Sequence, residues 1–197
     1  PNALTESEAM RLVDAPASAA EPHSPAIAAR DQAMFEVLYG CGIRIGELVG
    51  LDVRDADLDR GEMRVFGKGR KERVVPLGAP ACTAIRKWLD LRSSLVTGVG
   101  LPALFVGARG ERISPPVVRR ALKLRALQQG ISSHVYPHRL RHSFASHVLQ
   151  SSQDLRAVQE LMGHASIAST QVYTHLDFQH LAKVYDQAHP RARKRKA

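Results

Sequence analysis

An α+β domain, mainly helical with one small three-stranded antiparallel sheet, is the fold class this sequence predicts. The first observation behind it is a series of helix-length segments with apolar residues at three- and four-residue spacing, most of them punctuated by capping residues, Gly or Pro. The second is residues 52 to 76, where Met63-Arg64-Val65 and Glu72-Arg73-Val74-Val75-Pro76 flank the turn Gly67-Lys68-Gly69, and Asp59-Arg60-Gly61 supplies an earlier turn. The third is the length of 197 residues, which fits a single domain.

The elements follow in order. Thr5-Glu6-Ser7-Glu8 is a capping-box pattern and opens a short helix ending near Asp14. Pro16 to Pro25 reads as a loop. A helix then runs from about Ala26 to Tyr39, with Gly40 and Gly42 ending it. Arg44 begins a new short helix among Ile45, Leu48 and Val49, and so is expected to be partly enclosed. An enclosed arginine needs an anion, and Glu47, three residues on, is the nearest source. After the sheet, residues 80 to 92 form an amphipathic helix with Ile85, Trp88 and Leu89 inward. Ser114 caps the next helix, which carries Arg119, Arg120, Lys123 and Arg125 as a basic face.

Pro137 starts the helix on which the chemistry is organised, with Leu140, Phe144 and Val148 as its core stripe. His138 and Arg141 are neighbours on its surface at the edge of that stripe. Asp154 to Met162 is a further helix, ended by Gly163, with His164 just beyond and Tyr173 nine residues later. Leu176, Phe178, Leu181 and Val184 mark a last amphipathic helix, and a basic run closes the chain.

Composition narrows the partners. A formal charge of +9 favours a polyanion, because neutralising phosphates releases counterions. Cys41 and Cys82 form no disulfide framework or metal-ligand pattern and read as buried thiols of a cytoplasmic protein. No apolar run reaches the length of a membrane span. His138 and His142 have the four-residue spacing of a zinc pair, but that segment has no Cys, Asp or Glu to complete a site, and Arg141 would repel a cation. No metal or cofactor is expected. The first residue is Pro1, and the chain is expected to be the later part of a longer protein.

The stretches GIRIGELVGL, GKGRKERVVPL, PHRLRHSFASHVL, LMGHASIASTQVYTHLD and FQHLAKVYDQAHPRA, spread over about residues 40 to 190, resemble in order the motifs of the tyrosine recombinase (phage integrase) family, Xer-type. The resemblance implies the DNA breaking-rejoining fold and no cofactor. It implies Arg44 as first catalytic arginine, Lys68 as catalytic lysine, and His138 with Arg141 as the His-x-x-Arg pair. His164 stands at the second histidine and Tyr173 at the nucleophile. Gly46 departs from the pattern where relatives carry Ser, and Pro115 and Pro116 where they carry polar residues.

The implied reaction is site-specific cleavage and rejoining of double-stranded DNA through a 3′-phosphotyrosine. Chromosome dimer resolution at cell division is the implied setting, with a paralogous XerD-like recombinase in a heterotetramer. Ser114, Arg119, Arg120 and Lys123 are the expected DNA contacts. Residues 1–190 are expected to be the catalytic domain and 191–197 a disordered basic tail, without the N-terminal core-binding domain of relatives. The last amphipathic helix is expected to dock on a neighbouring subunit. Three alternatives share parts of the pattern: a binding-only module of this fold, a DNA-relaxing topoisomerase and a metal-dependent hydrolase.

Overall fold

The computed structural model describes residues 3–15, 24–131, 134–163 and 175–193. Its first helix, α1 (Glu6–Asp14), is opened by a complete capping box. Thr5 Oγ1 accepts from the Glu8 amide at 3.1 Å, and the Glu8 carboxylate accepts from the Thr5 amide at 2.8 Å. Helix α2 (Pro25–Cys41) is the axis of the molecule, packing against α1 and against most of the helices that follow. Apolar residues surround it rather than forming one stripe, as suits a helix buried on nearly all sides. Gly42 ends it in the left-handed conformation at φ 62. A Cβ there would stand 2.3 Å from Phe144 Cδ1, so the turn requires glycine twice over.

After α3 (Ile45–Gly50) come β1 (Ala56–Asp57), β2 (Glu62–Phe66) and β3 (Glu72–Pro76), antiparallel in the order β1-β2-β3. Met63 faces Val75 and Val65 faces Arg73 in the register. All four are buried, so Arg73 shares the core face of its strand. The β2–β3 connection holds Lys68 in a short 3₁₀ turn whose tip, Gly69 and Arg70, has positive φ. The three-stranded sheet and the placement of Lys68 at its turn are as expected from the sequence.

Helix α4 (Ala79–Arg92) buries Ile85 and Trp88, and the indole Nε1 donates to Leu104 O at 2.8 Å. Helix α5 (Pro115–Gln128) starts at Ser114, but the Ser114 side chain makes no capping bond. Arg125, expected on the basic face, turns inward instead. It is buried and donates to the carbonyls of Leu12 and Ala15 at 3.1 and 3.2 Å, tying α5 to the end of α1. Helix α6 (Pro137–Ser152) buries Leu140, Phe144 and Val148 as the spacing predicts.

Helix α7 (Leu155–Met162) is capped by Asp154, whose Oδ1 accepts from the Ala157 amide, and ends at Gly163 with φ 65. Helix α8 (His175–Ala188) packs on α6 and α7 of its own chain through Leu181, Val184 and Tyr185. Leu181 and Val184, two residues of the apolar face assigned to a neighbouring subunit, are therefore covered in cis in this single chain. Helix α9 (Pro190–Arg193) corrects the tail boundary. Arg191 is buried and paired with Glu36 of α2 and Asp14 of α1, so the folded part continues past residue 190. A basic residue at the edge of a charge run looks solvated in sequence; these carboxylates lie far away along the chain. Among the described residues no helix is long and apolar enough to cross a membrane.

Candidate functional site

Arg44 stands where α2 gives way to α3, as the N-cap of the shorter helix. Its backbone amide donates to Glu47 Oε2 at 2.7 Å, which fixes the first turn of α3. Its guanidinium makes one bond to Glu47 Oε1, at 3.3 Å, and the side chain stays 46% exposed. The pairing expected from the three-residue spacing is present, yet it leaves most of the Arg44 donors uncommitted. The reason is that Glu47 is already engaged. From β3, Arg73 donates to both carboxylate oxygens, at 2.6 and 3.0 Å, in the bidentate geometry that suits this pair.

Arg141 enters from α6, one helical turn past the start. It is buried, and its Nη1 and Nη2 donate to Gly42 O at 2.6 Å and Met162 O at 2.5 Å. Those bonds join the end of α2 to the end of α7. Burial, with the Arg44 and Arg73 guanidinium groups beside it, pushes Arg141 down to about 10, and Glu47 opposes that shift. Burial on its own would raise the Glu47 carboxyl. The Arg73 hydrogen bonds and charge, the Arg44 amide and the Arg141 charge outweigh it and hold Glu47 below the usual carboxylate range.

Three guanidinium groups thus act on one carboxylate, a formal excess of two positive charges, and two of them, Arg44 and Arg141, line a cavity. The cavity has a volume of about 400 Å³ and is lined by Arg44, Ile45, Pro137, His138, Arg141, His142 and Met162. An anion entering it would meet uncommitted donors from Arg44 and an imidazole from His138. Oxygen ligands with delocalised charge, such as a phosphodiester, match that set.

The expected residues fall into three groups. Arg44, His138 and Arg141 come together at this cavity from two separate segments. Lys68 is exposed at the β2–β3 turn and is not part of the cavity lining. Ser114, Arg119, Arg120 and Lys123 are exposed along α5, with Val118 and Leu122 buried on its other side. His164 and Tyr173 lie outside the described residues. Among the described residues no cluster of three or more His, Cys, Asp or Glu could hold a metal ion. Arg73 was missed by the motif reading. Its signal was the period-two alternation that places it on the face of Val75, since an arginine there requires a buried carboxylate.

Comparison with known proteins identifies the family. The model of the phage integrase family matches residues 2–180. The chain belongs to the phage integrase family. It is 53% identical over 196 residues to tyrosine recombinase XerC of Alcanivorax borkumensis, covering 100% of this chain and 62% of that protein. The crystal structure of XerA recombinase superposes with a TM-score of 0.72 at 36% identity, over 97% of this chain and 66% of that one. XerH site-specific recombinase bound to its difH substrate, in a pre-cleavage complex, gives 0.73 at 28% identity, over 93% and 53%. The chain therefore spans between about half and two-thirds of the length of these relatives.

Proposed function

We propose that this chain is the catalytic part of a tyrosine-type site-specific DNA recombinase. The observation that carries the reading is the convergence of Arg44, Arg141 and His138 on one cavity with an excess of positive charge. The Tyr173 phenol oxygen attacks a backbone phosphorus, forming a phosphotyrosine at the 3′ end while the bond to the 5′ oxygen breaks. His138 accepts the phenolic proton, which is needed because a free tyrosine ionises only near pH ~10. Lys68 on its exposed turn delivers a proton to the departing 5′ oxygen.

Arg44 and Arg141 stabilise the charge that builds on the non-bridging oxygens, and His164 hydrogen-bonds the same phosphate. Each such donor contributes roughly 3 kcal/mol to the transition state. The phosphotyrosine keeps the bond energy, so a 5′ hydroxyl from another strand can reverse the steps without ATP. No step calls for a metal or cofactor.

Ser114, Arg119, Arg120 and Lys123 contact the duplex from α5, and most of that contribution is electrostatic. The wider setting is a heterotetramer with a paralogous XerD-like recombinase on a specific DNA site, acting in chromosome dimer resolution in the cytoplasm. The catalytic domain takes in α9 and so extends to residue 193. Docking on a neighbouring subunit requires the α8–α9 end of the chain to exchange its cis contacts for equivalent ones in trans.

The test is covalent capture. The chain is incubated with a pool of nicked duplexes of random central sequence, in EDTA, and bands surviving denaturing electrophoresis are sequenced. Wild type is expected to capture a restricted set of sequences and Tyr173→Phe none. Capture that needs a divalent ion, or that persists in Tyr173→Phe, contradicts the reading. Supercoil relaxation without sequence preference would point to a topoisomerase instead.

A further inference from the structure

The buried Arg73 has no part in the chemistry just described, yet it touches the two ends of the site. Its Nη1 and Nη2 hold the Glu47 carboxylate at 2.6 and 3.0 Å, and its Nε donates to Leu161 O at 3.2 Å. The last carbonyls of a helix lack intrahelical partners. At the end of α7 the carbonyl of Leu161 is taken by Arg73 and that of Met162 by Arg141. The Arg73 guanidinium also lies against the terminal turn itself, since a Cβ on Gly163 would fall 2.9 Å from Arg73 Cζ. On the other side, the same carboxylate that Arg73 grips accepts the amide and one guanidinium bond of Arg44.

We propose that Arg73 is a positioning residue for the anion site, fixing Arg44 through Glu47 and the exit of α7 through Leu161 at once. Two consequences follow from the geometry. By occupying Glu47 in a bidentate pair, Arg73 leaves Arg44 tethered by one longer bond and otherwise free for a phosphate. By seating the end of α7, it sets the point from which the chain departs toward His164. Lysine cannot replace it, because one ammonium cannot bridge two carboxylate oxygens and a carbonyl in this planar arrangement. The catalytic half of this inference rests on the strand-cleavage reading above; the structural half does not.

Two variants are needed, because a bare Arg73→Gln would leave the buried Glu47 with only the longer Arg44 ion pair and could unfold. Arg73→Lys keeps the charge, and Glu47→Gln/Arg73→Gln removes both members together. Each is checked by circular dichroism, and rates are expressed per folded molecule. At saturating nicked duplex of a sequence captured by wild type, the rate constant for covalent capture should fall roughly 10–100-fold, the loss typical of a displaced reacting group. DNA affinity should change by less than about threefold, since it is carried mostly by the many phosphate contacts along α5, which the variants leave untouched. An unchanged rate per folded molecule, or a loss confined to affinity, overturns the proposal.

A second readout is independent of turnover. Guanidinium N–H resonances of Arg44 and Arg141, assigned by substitution, are followed while inorganic sulfate is added. In wild type both should shift along one isotherm. In each folded variant the Arg44 response should weaken at least about tenfold, as expected for a donor no longer aimed at the anion. An Arg44 response equal to wild type in the variants, or absent from wild type, overturns the positioning role. Failure of wild type to capture any DNA, with the sulfate result intact, would count against the recombinase reading alone.

Discussion

His138 and Arg141 sit three residues apart on one helix face, but the structure gives them opposite consequences for stability. Arg141→Ala removes the partners of two carbonyls, Gly42 O and Met162 O, in a buried setting. A buried acceptor left unsatisfied costs about 1–3 kcal/mol. Two of them give roughly 2–6 kcal/mol, and relief of burying a cation among other cations offsets part of it, leaving roughly 2–4 kcal/mol. His138 is exposed, so His138→Ala should change stability by less than ~0.5 kcal/mol. For a chain of this size 1 kcal/mol moves the melting temperature by about 2–4 °C. Arg141→Ala should therefore melt roughly 4–16 °C below wild type, while His138→Ala stays within about 2 °C. Thermal unfolding followed by circular dichroism measures both. Equal melting temperatures for the two variants would refute the claim that Arg141 fastens α2 to α7.

Other consequences can be measured in the same way. Gly46 has ordinary backbone angles and open space around a built Cβ, so Gly46→Ser should stabilise α3 by a few tenths of a kcal/mol, up to ~0.5, with a lower melting temperature as the contrary result. Gly42→Ala should cost roughly 2–5 kcal/mol by urea unfolding, from a forced left-handed alanine and a clash with Phe144; an unchanged midpoint contradicts it. His189 is fully buried, stacked on Tyr185, and burial first, then the nearby His147 and Arg191, pushes it down to about 3. Between that value and the unfolded reference of ~6.5 the unfolded chain binds a proton that the folded chain refuses. This contribution is complete above pH ~6.5 and is lost as pH falls toward 3, about 2 kcal/mol of it by pH 5. His189→Phe should flatten that slope, and an equally steep decline in the variant would show that His189 is not its source.

Much of the fold was legible because local signals and burial agree. The Thr5 capping box, Pro137 at a helix start, and the Leu140–Phe144–Val148 stripe all appear where spacing puts them. Three arginines were harder, since each is buried by partners distant in sequence. Arg125 falls at seven-residue spacing from Val118, with Leu122 between, which is a core stripe; charge alone had suggested the outer face. Arg73 was indicated by strand alternation but not by any catalytic motif. Arg191 could not be placed from its neighbours, because Glu36 and Asp14 reach it only through the tertiary fold. Within the site, the motif order brought out Arg44, His138 and Arg141, while the Glu47–Arg73 pair that holds Arg44 emerged only from the coordinates.

Proteolysis of the DNA-captured chain, followed by mass spectrometry of the nucleotide-bearing peptide, tests the central claim most directly. A phenol delivered to a phosphate held by Arg44, Arg141 and His138 predicts a single adduct, on Tyr173, joined to a 3′ phosphate. A linkage on any other residue, or to a 5′ phosphate, would contradict it.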